Sequence, residues 1–259
     1  MPTLSGVNMR AVLSAGLVFL CAAVALRAAM PLPLEQAVGK LIADTDRWAY
    51  TQEVRVSDLK GKPEDGVTVE RFDPSKPEGE QWTLRLYKGH VPSESDRRAW
   101  KRQKAREARR REKPLGEIID FERAALFSEN DLVYTYRLPI KPGASRRLPS
   151  EKFFVLIQVD KARVEISHVA VKAEEKFRLS GLKGLAVRVD RAEFEAKFHG
   201  VDDRYAAQPA PITAEGAVRV AWLFRTGGRA EVTWREFERV KPYKDRFDVQ
   251  IGDVKALDF

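Results

Sequence analysis

Short runs in which apolar and polar side chains alternate recur along most of this chain, and they constrain its fold more than any other feature. Trp48, Tyr50, Val54 and Val56 alternate with Ala49, Thr51, Glu53 and Arg55. Gln81–Tyr87 sends Trp82, Leu84 and Leu86 one way and Thr83, Arg85 and Tyr87 the other, and Leu132, Tyr134, Tyr136 and Leu138 share a face. Phe153–Val159 meets Arg163–Val171 across a turn at Asp160-Lys161-Ala162, and Ala192–Phe198 repeats the pattern. Side chains point to opposite faces of a strand at a period of two, so such runs bury one face of a sheet. The connections are short and carry turn residues, as at Lys60–Gly66 and Asp73–Glu80. Strands do not alternate with helices, which disfavours a parallel architecture. The expectation is a mainly β, α+β chain: a large antiparallel curved sheet or half-barrel with few helices.

Two segments break the period. Pro33–Ala43 spaces Leu34, Ala37, Val38, Leu41 and Ile42 at helical intervals with a proline in the opening turn, which predicts a short amphipathic helix. Ser93–Lys113 follows the third strand and reads as a long charged helix, opened by a Ser93/Asp96 capping box with Glu94 and Asp96 near its positive end. Two punctuation marks stand out in the C-terminal half. Thr226-Gly227-Gly228 reads as a hairpin turn, and Arg204–Gly216 is the best linker in the chain, although the strands beyond it continue the same sheet.

Charge is concentrated rather than spread. The net charge is +8, of which residues 1–29 carry +2 and Glu94–Lys113, with ten basic and four acidic residues, carries +6; the remainder is neutral in sum. Residues 1–29 place Arg10 before the unbroken apolar run Ala11–Leu26, then small residues, the pattern of a cleavable export signal. The alternative is a retained membrane anchor, for which the run is short against a hydrocarbon core about 30 Å thick. Cys21, the chain's single cysteine, lies inside that run after Phe19 and Leu20, a poor site for lipidation. The expectation is a periplasmic chain with residues 30–259 forming one domain whose core holds without disulfides.

No catalytic or cofactor pattern in the sequence is complete. His90, His168 and His199 are far apart and show no two-ligand spacing. Gly61 and Gly66 have the separation of a phosphate loop, but Val67-Thr68 stands where a lysine and a hydroxyl are needed. Ser180 lacks a nucleophile elbow, and Asp44/Asp46 and Asp202-Asp203 read as capping or turn acids. No cofactor, no metal and no catalysis are expected, with a periplasmic hydrolase kept as a third reading. The basic helix is not read as a nucleic-acid grip, since an exported chain rarely meets nucleic acid. Trp100 is the one large apolar group between Asp96 and Lys113, so the helix has almost no apolar face to insert in a bilayer. It reads as a solvated connector pinned to the sheet by Trp100. Contact with an anionic membrane surface or an acidic partner through Arg97, Arg98, Lys101, Arg102, Arg109, Arg110 and Arg111 is the alternative. Strand aromatics are more numerous than a one-sided sheet needs. Trp48, Tyr50, Trp82, Tyr134, Tyr136, Trp222 and Trp234 are therefore candidate ligand-binding residues on a concave face; a packed core beneath a covering helix is the competing account of the same residues.

The order of these elements, an apolar leader, a short amphipathic helix, the strand Arg47–Val54, the segment RFDPSKPEGEQWTL (Arg71–Leu84) and a charged helix before a long antiparallel sheet, resembles the half-barrel family of outer-membrane lipoprotein carriers, the LolA/LolB-like proteins. The resemblance covers roughly Leu34–Phe259. It implies an incomplete barrel whose covering helices enclose a hydrophobic cavity for acyl chains, hence a lipid or acylated ligand. The basic stretch here is longer and more charged than the apolar lid of such carriers, so no gating role is carried over to it.

Overall fold

The computed structural model describes residues 30–44, 47–63, 66–109, 115–144, 149–179, 187–220 and 224–246. After helix α1 (Leu32–Asp44) come strands β1 (Trp48–Asp58), β2 (Thr68–Phe72) and β3 (Trp82–Leu86), then the charged helix α2 (Glu94–Arg109) and the single turn α3 (Leu115–Ile118). The remaining strands are β4 (Ala125–Glu129), β5 (Val133–Pro139), β6 (Phe153–Asp160), β7 (Glu165–Ala173), β8 (Phe177–Leu179), β9 (Val187–His199), β10 (Gln208–Val220) and β11 (Phe224–Arg239). They form one antiparallel sheet in the order β3-β2-β1-β11-β10-β9-β7-β6-β5-β4, with β8 beside β9. The sheet is an open half-barrel in which the first strand, β1, pairs with the last, β11, inside the sheet. Among the described residues no helix is long and apolar enough to cross a membrane.

Register turns the period of two into one continuous apolar face. Tyr136, Ile157, Val169, Ala196, Ile212, Val232 and Val54 stand opposite one another across seven strands, and Leu138, Val155, Val171, Phe194, Ala214, Ala230 and Val56 form a second row. Neighbours directly across a ladder share a face, so both rows line the inner side. The other side is charged, with Lys172–Glu195 and Arg235–Glu53 bridging adjacent strands and Arg71–Glu238 reaching from β2 across β1 to β11. Helix α1 lies across β6 and β7 on the inner side and buries Leu34, Ala37 and Val38 against Tyr136, Leu138, Val155, Ile157, Val159 and Ile166. Ile42, on the far side of the helix, stays exposed.

Two readings of the C-terminal half change. Arg204–Gly216 is no linker: Gln208–Gly216 belongs to β10, between β9 and β11. Its prolines mislead because Pro209 falls at a register break in the β9 ladder, before pairing with β11 begins at Ile212, so the missing N–H groups leave no gap in a two-sided ladder. Gly227-Gly228 is not the hairpin turn either, since the ladder runs on past it to Val220 opposite Phe224. The glycines face Ala217 and Gly216 inside the sheet, where a Cβ on Gly227 would come within 2.1 Å of the Gly216 carbonyl oxygen. Gly227 is needed for that close backbone approach. Strand β4 has no buried residue and escaped the sequence reading for that reason.

Candidate functional site

The inner face has three parts, and each treats its apolar side chains differently. Beneath α1 it is closed. Tyr136 is buried there, and Tyr134 is half-buried, with its ring 6.1 Å from that of Tyr136 and the Lys161 ammonium 4.5 Å from the Tyr134 centroid.

At the β1–β3 end the face is filled by rings and capped by α2. Tyr50 lies at the centre, with Phe72, Trp82, Trp234 and Phe237 all within 6.2 Å of its ring, and Trp48 packs edge-on to Phe237 and Tyr205. Burial, and then the nearby Glu70 charge, push the Tyr50 phenol up to about 12. Glu70 sits on the same face, 5% exposed, and collects three donors: the Trp100 indole N–H, the Lys104 ammonium at 2.7 Å and the Gln52 amide at 2.6 Å. The Lys104 ammonium also lies 4.0 Å from the Trp82 ring centroid. Trp100 and Lys104 are one helical turn apart, so they reach the sheet together. On the rest of the helix Arg97, Arg98, Lys101 and Arg102 are exposed. The helix start is the reciprocal box, with Ser93 N–H donating to Asp96 at 2.9 Å and Asp96 N–H donating to the Ser93 hydroxyl at 3.2 Å.

The third part is open. Past α1, where β5 ends and β6 begins, a cleft of about 380 Å³ is bounded by Ile118 of α3, Ile140, Ala144, Ser150, Phe153 of β6, Val171 of β7, and Ala192 and Phe194 of β9, with Glu193 and Glu215 completing its wall. Phe153 leans edge-on against Phe177, 5.5 Å away. Volumes of about 300–1,000 Å³ with apolar walls and few polar groups are typical of small-molecule sites. Among the described residues the lining includes no lysine, arginine or histidine. The two glutamates are both engaged by Arg191, at 2.9 and 3.1 Å.

The structure brings Trp48, Tyr50, Trp82 and Trp234 together in the ring cluster and places Tyr134 and Tyr136 by α1; none of the six is in the wall of the cleft. Trp222, Arg110 and Arg111, the side chain of Arg109 and the leader 1–29 lie outside the described residues. The cleft residues were not singled out as a group from the sequence. Phe153, Val171 and Phe194 each stand on an alternating run, but only the pairing of β7 with β9 puts Val171 opposite Phe194. Of the other groups weighed for chemistry, Asp44 accepts the Trp48 indole N–H at 2.8 Å and Asp202 pairs with Arg204 at 2.7 Å, and among the described residues no three His, Cys, Asp or Glu side chains converge to hold a metal ion. Compared with known proteins, the chain matches no family model, no curated protein and no solved structure.

Proposed function

We propose that the chain is an exported envelope protein that binds a hydrophobic, lipid-like ligand on the inner face of its half-barrel and acts by binding rather than catalysis. The observation that carries this reading is the open apolar cleft between Phe153, Val171 and Phe194 on the inner face. Export rests on the leader pattern in residues 1–29, and the resemblance to lipoprotein carriers points to the same class of ligand. Organic extraction and mass spectrometry of the protein purified from the envelope should return a lipid in stoichiometric amount. A preparation that yields none and fails to bind fluorescent acyl probes would sink the reading, and N-terminal sequencing that returned Met1 would favour the anchored form.

A second reading concerns α2. With Trp100 and Lys104 turned to the sheet, Arg97, Arg98, Lys101 and Arg102 present an exposed basic stripe, which supports electrostatic contact with an anionic membrane surface. That contact would hold the protein close to a lipid source without insertion.

A further inference from the structure

Strand β4 forms one edge of the sheet and buries nothing. It pairs with β5 alone, so among the described residues the hydrogen-bonding groups along its other side face no strand. All five of its residues, Ala125–Glu129, are exposed. A bulge between Leu126 and Ser128 leaves Phe127 with no residue opposite it in β5. Phe127 is 59% exposed, Leu126 54%, and Leu132, in the turn that follows, 73%. Sheet edges are usually guarded against pairing by lysine, proline, an inward charge or a bulge. β4 holds no lysine or proline, and its bulge exposes a ring instead of a charge.

The charges around the strand decide what fits beside it. Arg123 precedes β4 and Asp131 follows it, both exposed, while Glu129 already holds Lys161 at 2.7 Å. An antiparallel neighbour of the same sequence, centred on Phe127, brings the two Phe127 rings together, sets Leu126 beside the partner's Ser128 and carries Arg123 to the partner's Asp131. A parallel neighbour would set like charges side by side, which is destabilising. A lipid surface fits less well, because Glu122, Glu129 and Asp131 are exposed among the apolar residues and would be repelled by anionic headgroups.

We propose that β4 is a self-association edge. Two copies pair their β4 strands antiparallel about a two-fold axis through Phe127, joining two half-barrels into one continuous sheet with both inner faces on the same side. The contact is small, below the roughly 1,200 Å² of total buried area under which interfaces are transient, so the dimer forms reversibly as concentration rises.

The test is sedimentation velocity of the protein purified from the envelope, over about 1–300 μM, the range suited to an interface of that size. Monomer should give way to dimer and to no larger species, since a two-fold contact closes on itself. Phe127→Lys, which places two ammonium groups at the axis, should raise the dissociation constant at least about tenfold and leave the melting temperature unchanged, the ring being exposed. Arg123→Asp and Asp131→Arg should each weaken the dimer roughly three- to tenfold, and the two together should restore it. Phe127→Cys should give a disulfide-linked dimer on oxidation, whereas Ser95→Cys, on α2, should not. A wild-type protein that stays monomeric throughout, a dimer indifferent to Phe127→Lys, or charge reversals that the double exchange does not rescue would each overturn the proposal. A monomer that adsorbs to phosphatidylcholine vesicles, and loses that adsorption in Phe127→Lys, would assign the exposed hairpin to a membrane and overturn it equally.

Discussion

Replacing Trp100 by alanine should release α2 from the sheet without unfolding the rest of the protein. Between Asp96 and Arg109 no other large apolar side chain is available to hold the helix, and Trp100 is only 6% exposed. Truncating a buried tryptophan costs about 3–5 kcal/mol. The sheet itself would keep its ladders, so the loss should appear as local opening of Glu94–Arg109. At 1.4 kcal/mol per tenfold, the open population should rise by about two to three and a half orders of magnitude. Native-state hydrogen exchange read by mass spectrometry measures that population directly. Protection of peptides from 94–109 should fall accordingly in Trp100→Ala, whereas Arg97→Gln, Arg98→Gln and Lys101→Gln, each within about ±0.5 kcal/mol, should change it by a factor of roughly two. Glu70→Gln should lie between these limits. It weakens the acceptor for Trp100, Lys104 and Gln52, but the lysine stem can swing its ammonium out to water. Combined with Lys104→Met, it should show a coupling of about 0.5–3 kcal/mol in a double-mutant cycle. Equal exchange in Trp100→Ala and in the arginine variants would refute the idea that one indole and one buried carboxylate pin the helix.

Leu34→Ala should lower global stability by about 2–5 kcal/mol in denaturant melts, because Leu34 is fully buried where α1 meets the inner face of β6. Burial holds the His168 imidazole below its usual value, with Lys197 and Lys172 adding to the effect and Glu195 opposing it. The unfolded chain therefore takes up this proton first, near the usual imidazole value of about 6.5, so stability should fall as pH drops below that point and level off once the folded imidazole is also charged. His168→Gln should remove that part of the pH dependence in melts between pH 7 and 5; an unchanged slope would assign it to other groups. Replacing Arg97, Arg98, Lys101 and Arg102 together by Gln should abolish adsorption to vesicles rich in phosphatidylserine, each residue being worth roughly 1 kcal/mol at such a surface, and added salt should do the same to wild type. Adsorption that ignores both would remove the second reading.

The period-two runs already specified a mainly β chain with antiparallel strands, a helix at Leu34 and a charged helix after the third strand, because each is a local pattern: which side chains alternate, where a proline opens a helix, where Ser93 and Asp96 can cap one. Trp100 was also legible as the anchor of α2, being the only large apolar side chain the helix has to bury. The partner was not. Glu70 sits in the short run Thr68–Phe72 and looks like an ordinary solvated acid, and it becomes a buried acceptor only because β2 pairs with β1 beneath the helix. Likewise β10 carries turn-forming prolines, Gly227-Gly228 has a hairpin's composition, and β4 buries nothing, so local preference pointed away from what pairing imposed. The division is sharpest at the cleft. Composition could announce a surplus of strand aromatics, but whether a ring fills the core or borders a space depends on which strands meet and where the helices end. Tyr50 is enclosed because β2, β3 and β11 converge on it, whereas Phe153 and Phe194 border open space because α1 stops short of the end of β6. Packing is a relation among residues distant in the chain.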